Sequence, residues 1–223
     1  MREPDFWWAR PGLLARLIWP VSWLYGAVAA WRMNRSGARA GIPVICVGNF
    51  THGGTGKTPT AIAIAKLIAA SGEKPFFLSR GYGGSLAGPT RVDPAKHAAA
   101  DVGDEPLLLA RTAPVIVSRD RVKGAELAKS SGATVIVMDD GFQSSAVVKD
   151  MSLIVIDSHR GLGNGQVFQA GPLRAPLQPQ LAVELPAAEL REPGRREHVL
   201  GRLVEREDLD PADRARGVEE GES

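Results

Sequence analysis

Residues 42–70 confine this chain to few folds. Ile42-Pro43-Val44-Ile45-Cys46-Val47 is a short, apolar, β-branched run, which reads as a buried parallel strand. Gly48-Asn49-Phe50-Thr51-His52-Gly53-Gly54-Thr55-Gly56-Lys57-Thr58-Pro59 follows, and Thr60 to Ala70 then continues in alanine and isoleucine with a helical pattern. Strand, glycine-rich loop and helix in that order aim backbone N–H groups at one point. Glycine lets those donors converge without Cβ clashes, and the helix N-terminus adds partial positive charge. The unit is built to hold phosphate.

The residue types fit a P-loop. Gly53, Gly54, Thr55, Gly56, Lys57 and Thr58 are the expected nucleotide contacts. Lys57 is expected to reach the β- and γ-phosphates of ATP, and the Thr58 hydroxyl to face Mg²⁺. The usual pattern places Gly six residues before the lysine, where this chain has Thr51. A bare glycine turn is the alternative, and the flanking strand and helix argue against it.

A second apolar run, Thr134 to Met138, ends in Asp139-Asp140-Gly141. Acids at the carboxyl end of a parallel strand sit where ligands bind, so Asp139 and Asp140 join Thr58 as candidate Mg²⁺ residues. An Asp-Gly turn alone would be ordinary. Further strand runs lie at Pro75–Leu78, Pro114–Val117 and Leu153–Asp157, with helical patterns at Pro106–Arg111 and Arg121–Ser130. The expected fold is therefore α/β, a mostly parallel sheet with helices on both faces.

The N-terminal segment has a different character. All five tryptophans fall in residues 1–31, beside the apolar run Leu17 to Trp31, with arginines at 2, 10, 16, 32, 35 and 39. Tryptophan favours the wet edge of a bilayer and arginine is drawn to anionic lipid, so the segment reads as an interfacial membrane helix. The charge-free run is short for a spanning helix and contains Pro20, and the arginines after it argue against an exported leader. Residues 1–176 hold 20 Lys and Arg against 13 Asp and Glu, whereas 177–223 hold 7 against 12. The lone Cys46 excludes an internal disulfide, fits a reducing compartment and reads as a small core residue. Nothing points to nucleic acid.

Several phrases together resemble the tetraacyldisaccharide 4′-kinase (lipid A 4′-kinase) family of Gram-negative bacteria. They are Val47-Gly48-Asn49, Gly53 to Pro59, Ser79-Arg80-Gly81-Tyr82-Gly83, Val102-Gly103-Asp104-Glu105-Pro106, Asp139-Asp140-Gly141-Phe142-Gln143, Gly163-Asn164-Gly165 and Ala170-Gly171-Pro172-Leu173-Arg174. The resemblance implies transfer of the ATP γ-phosphate to the 4′-hydroxyl of a tetraacyldisaccharide 1-phosphate at the cytoplasmic face of the inner membrane. It implies a catalytic role for Asp104 beside Lys57, and places Asp139 and Asp140 at the metal end. Read alone, Asp104 before Glu105-Pro106 is rather a helix N-cap. Arg80 and Arg119 are candidate phosphate clamps, His52 a candidate nucleotide contact.

The expected organisation is an interfacial anchor at 1–40, a P-loop kinase domain at 41–176 and a divergent tail at 177–223. The tail has no aromatic residue and no lysine, a composition poor for a second core. The likeness fades there, so the chain reads as truncated or divergent after about residue 176. Ser144 stands where the family usually has His. Two other readings of the loop stay open from the residues: a partitioning or metal-delivery P-loop ATPase, and a membrane-attached nucleotide-binding remnant without turnover.

Overall fold

The apolar runs become strands of one six-stranded sheet in a computed structural model that describes residues 4–182. After a short 3-10 turn at Asp5–Trp7, the elements are α1 (Leu13–Met33), β1 (Val44–Gly48), α2 (Lys57–Ala70), β2 (Pro75–Ser79), β3 (Thr90–Arg91), α3 (Ala99–Val102), α4 (Asp104–Leu109), β4 (Val115–Val117), α5 (Arg121–Ser130), β5 (Val135–Asp139), β6 (Met151–Ile154) and α6 (Leu177–Ala182). The sheet order is β3-β4-β2-β5-β1-β6, parallel except for β3.

Strand alternation divides the core in two. Val44, Cys46, Phe76, Leu78, Ile136 and Met138 face one layer with Ala125 and Ala128 of α5. Val47, Phe77, Val115, Val117 and Val137 face the other with Ala61 and Ala65 of α2. Cys46 is fully buried, and burial pushes its thiol up to about 11. It is an inert core residue.

Gly48 ends β1 where no side chain fits, because an added Cβ would collide with Cβ of Phe142. Phe142 is itself buried and stacks edge-on with Phe50 at 5.7 Å. Gly48→Ala is expected to destabilise by about 2–3 kcal/mol through overpacking, read as a lower urea midpoint with an unchanged slope.

Three differences from the sequence reading have physical causes. The two-residue antiparallel β3 was not expected, since such a short piece has no periodicity. The last strand was expected at 153–157 and forms at Met151–Ile154, where pairing with Ile45 to Gly48 sets the register. Asp104 is the first residue of α4 rather than its cap: Gly103, at φ 92°, occupies that position. The expected tail falls mostly on 183–223, outside the described residues, and α6 forms at its start.

Helix α1 runs through Pro20 for 21 residues. A proline inside a helix removes one i→i−4 hydrogen bond and crowds the carbonyl four residues back, yet the helix continues past it. Its length and composition suffice to cross a membrane. Among the described residues only a narrow stripe of the helix is buried: Ala15, Ser22, Gly26 and Met33, at helical spacing. At Gly26 a Cβ would lie 3.2 Å from Cγ of Pro176, so small residues let the helix sit close. Leu17, Trp23, Leu24, Val28 and Trp31 are exposed.

Candidate active site

Strands β1 and β5 are parallel neighbours, with Val47 opposite Asp139. Their carboxyl ends therefore place the glycine loop beside the acidic pair. Gly56, at φ 83°, turns the chain into α2, which starts at Lys57 and Thr58. Asp140 takes the left-handed conformation at φ 54°, rare for a residue with a side chain, and its N–H donates to O of Val47 at 3.0 Å. The turn aims the two carboxylates differently. Asp139 points at Thr58, and Asp140 at Lys57 and Arg174.

Thr58 donates its hydroxyl to Oδ2 of Asp139 at 3.0 Å. Asp139 is 3% exposed. Burial, helped by the negative charges of Glu105 and Asp140, pushes its carboxyl up to about 6 against the opposing pull of Thr58 and Lys57. Lys57 donates to O of Gly53 at 3.4 Å and lies 3.8 Å from Oδ1 of Asp140. Desolvation lowers its pKa, the charge of Asp140 opposing. Arg174 donates to the same Asp140 oxygen at 2.7 Å and from Nε to O of Thr51 at 2.9 Å.

Native proteins leave few buried polar atoms unpaired. Among the described residues three side-chain atoms are so left: Oδ1 of Asn49, Nε2 of His52 and Oδ1 of Asp139. All belong to the loop or to the end of β5. Asn49 also donates to Thr55 Oγ1 at 3.1 Å, and its carbonyl accepts from Gln143 at 2.7 Å. A Cβ added at Gly54 or Gly56 meets nothing within 4 Å, so this flank of the loop is open.

The residues fit a magnesium nucleotide. The unpaired Asp139 oxygen and the Thr58 hydroxyl offer the hard oxygen ligands Mg²⁺ takes. No group of three His, Cys, Asp or Glu gathers as a metal site among the described residues. Mg²⁺ takes few protein ligands and completes its shell from phosphate and water. The site contains Gly53, Gly54, Thr55, Gly56, Lys57, Thr58, Asp139 and Asp140 in one cluster.

Asp104 is exposed in the first turn of α4. The charge of its neighbour Glu105, like that of Asp140, reaches both Lys57 and Asp139. Gly103 packs under O of Tyr82, so the loop after β2 lies against the start of α4. Tyr82 is 89% exposed there, and Arg119 donates to O of Gly84 at 3.5 Å. The sequence reading passed over Glu105 and Arg174. Each stood in a quoted phrase, but nothing local says that Arg174 pairs with an acid 34 positions earlier. His52 lies within an aromatic group, its ring 4.7 Å from Phe168 and 6.3 Å from Trp7. Burial and the Arg174 charge lower its pKa to about 4, so it is neutral near pH 7. His97 serves locally, its Nδ1 accepting from N–H of Asp93 at 3.0 Å.

A stability test follows from Asp139. An unfolded Asp titrates near about 4, below the folded value of about 6. Ionisation therefore works against the fold: stability falls as pH rises through that window and stays lower above it. Asp139→Asn removes this cost. It is expected to raise stability at pH 7 in EDTA by about 2 kcal/mol, with little change at pH 4, measured by urea unfolding. The same change is expected to weaken magnesium-dependent nucleotide binding.

The family described as tetraacyldisaccharide-1-P 4′-kinase matches residues 14–204. A tetraacyldisaccharide 4′-kinase of Rhodopseudomonas palustris strain BisB18 is 64% identical over 182 residues, covering 82% of this chain and 53% of that protein. One from Nitrobacter hamburgensis is 65% identical over 182 residues, covering 82% and 54%. The chain thus spans about half the length of the curated relatives it matches. A crystal structure of LpxK from Aquifex aeolicus in complex with ATP aligns with a TM-score of 0.67 at 29% identity, over 77% of this chain and 57% of that one.

Proposed function

Because this chain belongs to the tetraacyldisaccharide 4′-kinase family, we propose that it takes part in moving the ATP γ-phosphate to the 4′-hydroxyl of a tetraacyldisaccharide 1-phosphate. The observation that carries the reading is the Thr58–Asp139 hydrogen bond beside an unpaired buried Asp139 oxygen, one residue from Lys57.

Each residue has a proposed part. The open flank at Gly53 to Gly56 takes the phosphates on backbone N–H groups, and Lys57 swings from Gly53 O to their negative charge. Thr58, Asp139 and Asp140 would hold Mg²⁺. The ion, when bound, neutralises charge on the transferring phosphate. Arg174 keeps Asp140 in place from the Thr51 side. Asp104 accepts the proton of the 4′-hydroxyl as its oxygen bonds to the γ-phosphorus and the bond to the ADP oxygen breaks. Arg80 and Arg119, near the Tyr82 loop, suit the acceptor's own phosphate.

The lipid acceptor explains α1. An open apolar face beside arginines and tryptophans suits a monotopic helix at the cytoplasmic surface of the inner membrane. The deciding assay follows labelled γ-phosphate from MgATP with the tetraacyldisaccharide in detergent. Labelled lipid is the expected product. Labelled inorganic phosphate without labelled lipid returns the ATPase reading, and nucleotide binding without either product returns the remnant.

A further inference from the structure

An aromatic cluster joins the N-terminal helix to the nucleotide loop. Phe168 lies at its centre, 5.4 Å from Tyr25 of α1, 5.8 Å from Trp7 and 4.7 Å from His52. Helix α1 also grips the backbone there. Ser22 donates to O of Phe168 at 3.0 Å and accepts from N–H of Ala170 at 2.8 Å. Trp7 is 6% exposed and donates from Nε1 to O of Gln169 at 3.2 Å. Asn164 closes the clasp, its N–H donating to O of Trp7 at 2.7 Å and its Nδ2 to O of Phe6 at 3.2 Å.

His52 carries this cluster into the loop. Its N–H donates to O of Pro172 at 2.8 Å. The next residue, Gly53, provides the carbonyl that receives Lys57. One peptide unit therefore separates a ring clasped by the N-terminal region from the group that holds the nucleotide lysine. A glycine loop has little stiffness of its own, so its shape depends on what packs on His52.

We propose that the seating of α1 sets the shape of the nucleotide loop through Trp7, Phe168 and His52, so that a bilayer holding the open face of α1 tightens MgATP binding. The inference rests on the nucleotide-site reading above. The seated stripe (Ala15, Ser22, Gly26, Met33) and the open face (Leu17, Leu24, Val28, Trp31) lie on opposite sides of the helix. Lipid can therefore cover one without displacing the other. In water the open face is driven to bury itself elsewhere, which competes with seating. Lipid removes that competition and shifts the population toward the seated state. Phe168 and Ser22 act as positioning residues, not catalytic ones.

The test is isothermal titration of the whole chain with MgATP, with and without phosphatidylglycerol–phosphatidylcholine vesicles. Wild type is expected to bind about fivefold more tightly with vesicles. Phe168→Leu keeps an apolar group but loses the ring, and Ser22→Ala loosens the helix from a distance. Both are expected to bind MgATP more weakly and to lose the vesicle response, while still sedimenting with vesicles. If Phe168→Leu does not fold by circular dichroism, Ser22→Ala decides alone. Wild-type affinity and vesicle response in a folded variant overturn the coupling and leave the nucleotide site standing. No MgATP binding by wild type overturns the site reading, and the coupling with it.

Discussion

Replacing Lys57 with alanine is expected to lower MgATP affinity about tenfold to a hundredfold while leaving the fold intact. The lysine is the more loosely held cation of the site. Its present partners are a long hydrogen bond to O of Gly53 and an ion pair at 3.8 Å, and neither holds the core. Arg174 keeps its 2.7 Å contact with Asp140 after the substitution, so the acidic turn is not left uncompensated. Burial already opposes the ammonium charge, so the variant should melt at or slightly above wild type. A hydrogen bond to a charged group contributes about 1.5–3 kcal/mol, which is about tenfold to a hundredfold in affinity. Lys57→Arg is not a safe conservative change, because the planar guanidinium does not occupy the volume of an ammonium. Calorimetry with MgATP reads the effect directly, and unaltered affinity in Lys57→Ala would falsify the site assignment.

That experiment touches the part most legible in the sequence. A buried strand, a glycine loop and a helix are adjacent along the chain, so local pattern alone brings Gly53 to Thr58 together. Asp139 was nearly as plain, since its place at the end of an apolar run anticipates its pairing beside β1. Local pattern could not reach the contacts made across distance. Arg174 meets Asp140, Trp7 meets Phe168, and Gln143 meets Asn49 and Gln180. These depend on how loops close over the sheet. Asp104 is the converse case: the sequence singled it out through its phrase, and the fold shows it exposed at the start of α4 beside Glu105, whose charge reaches Lys57.

The N-terminal helix was legible as an apolar, tryptophan-rich segment, but not as a seated one. Periodicity did not mark Ser22 and Gly26 as its buried side, because small residues carry almost no hydrophobic signal. Their value is steric. They let α1 approach Val167 and Pro176 closely, and Ser22 satisfies two backbone groups. The seat also changes how membrane binding is best tested. Deleting residues 1–32 removes Trp7 and Ser22 together with the lipid-facing surface, and so uncovers Phe168 and His52. Lost vesicle binding in that deletion would not separate anchoring from damage.

Substituting the open face alone does separate them. Leu17, Leu24 and Val28 are 78%, 61% and 49% exposed, so changing all three to glutamine should leave the melting temperature within a degree or two of wild type. In lipid the same side chains are buried. A fully buried Leu or Val contributes about 1.5–3 kcal/mol, so three of them at a partly wet interface contribute about 4 kcal/mol. The triple variant is therefore expected to partition onto phosphatidylglycerol vesicles about a thousandfold less well. Trp19, Trp23 and Trp31 and the flanking arginines remain, so a weak, salt-sensitive association should persist. Sedimentation at low and high salt reads both parts. A triple variant that still sediments with vesicles like wild type would show that the open face of α1 does not meet lipid. The apolar surface would then have to be covered by protein instead.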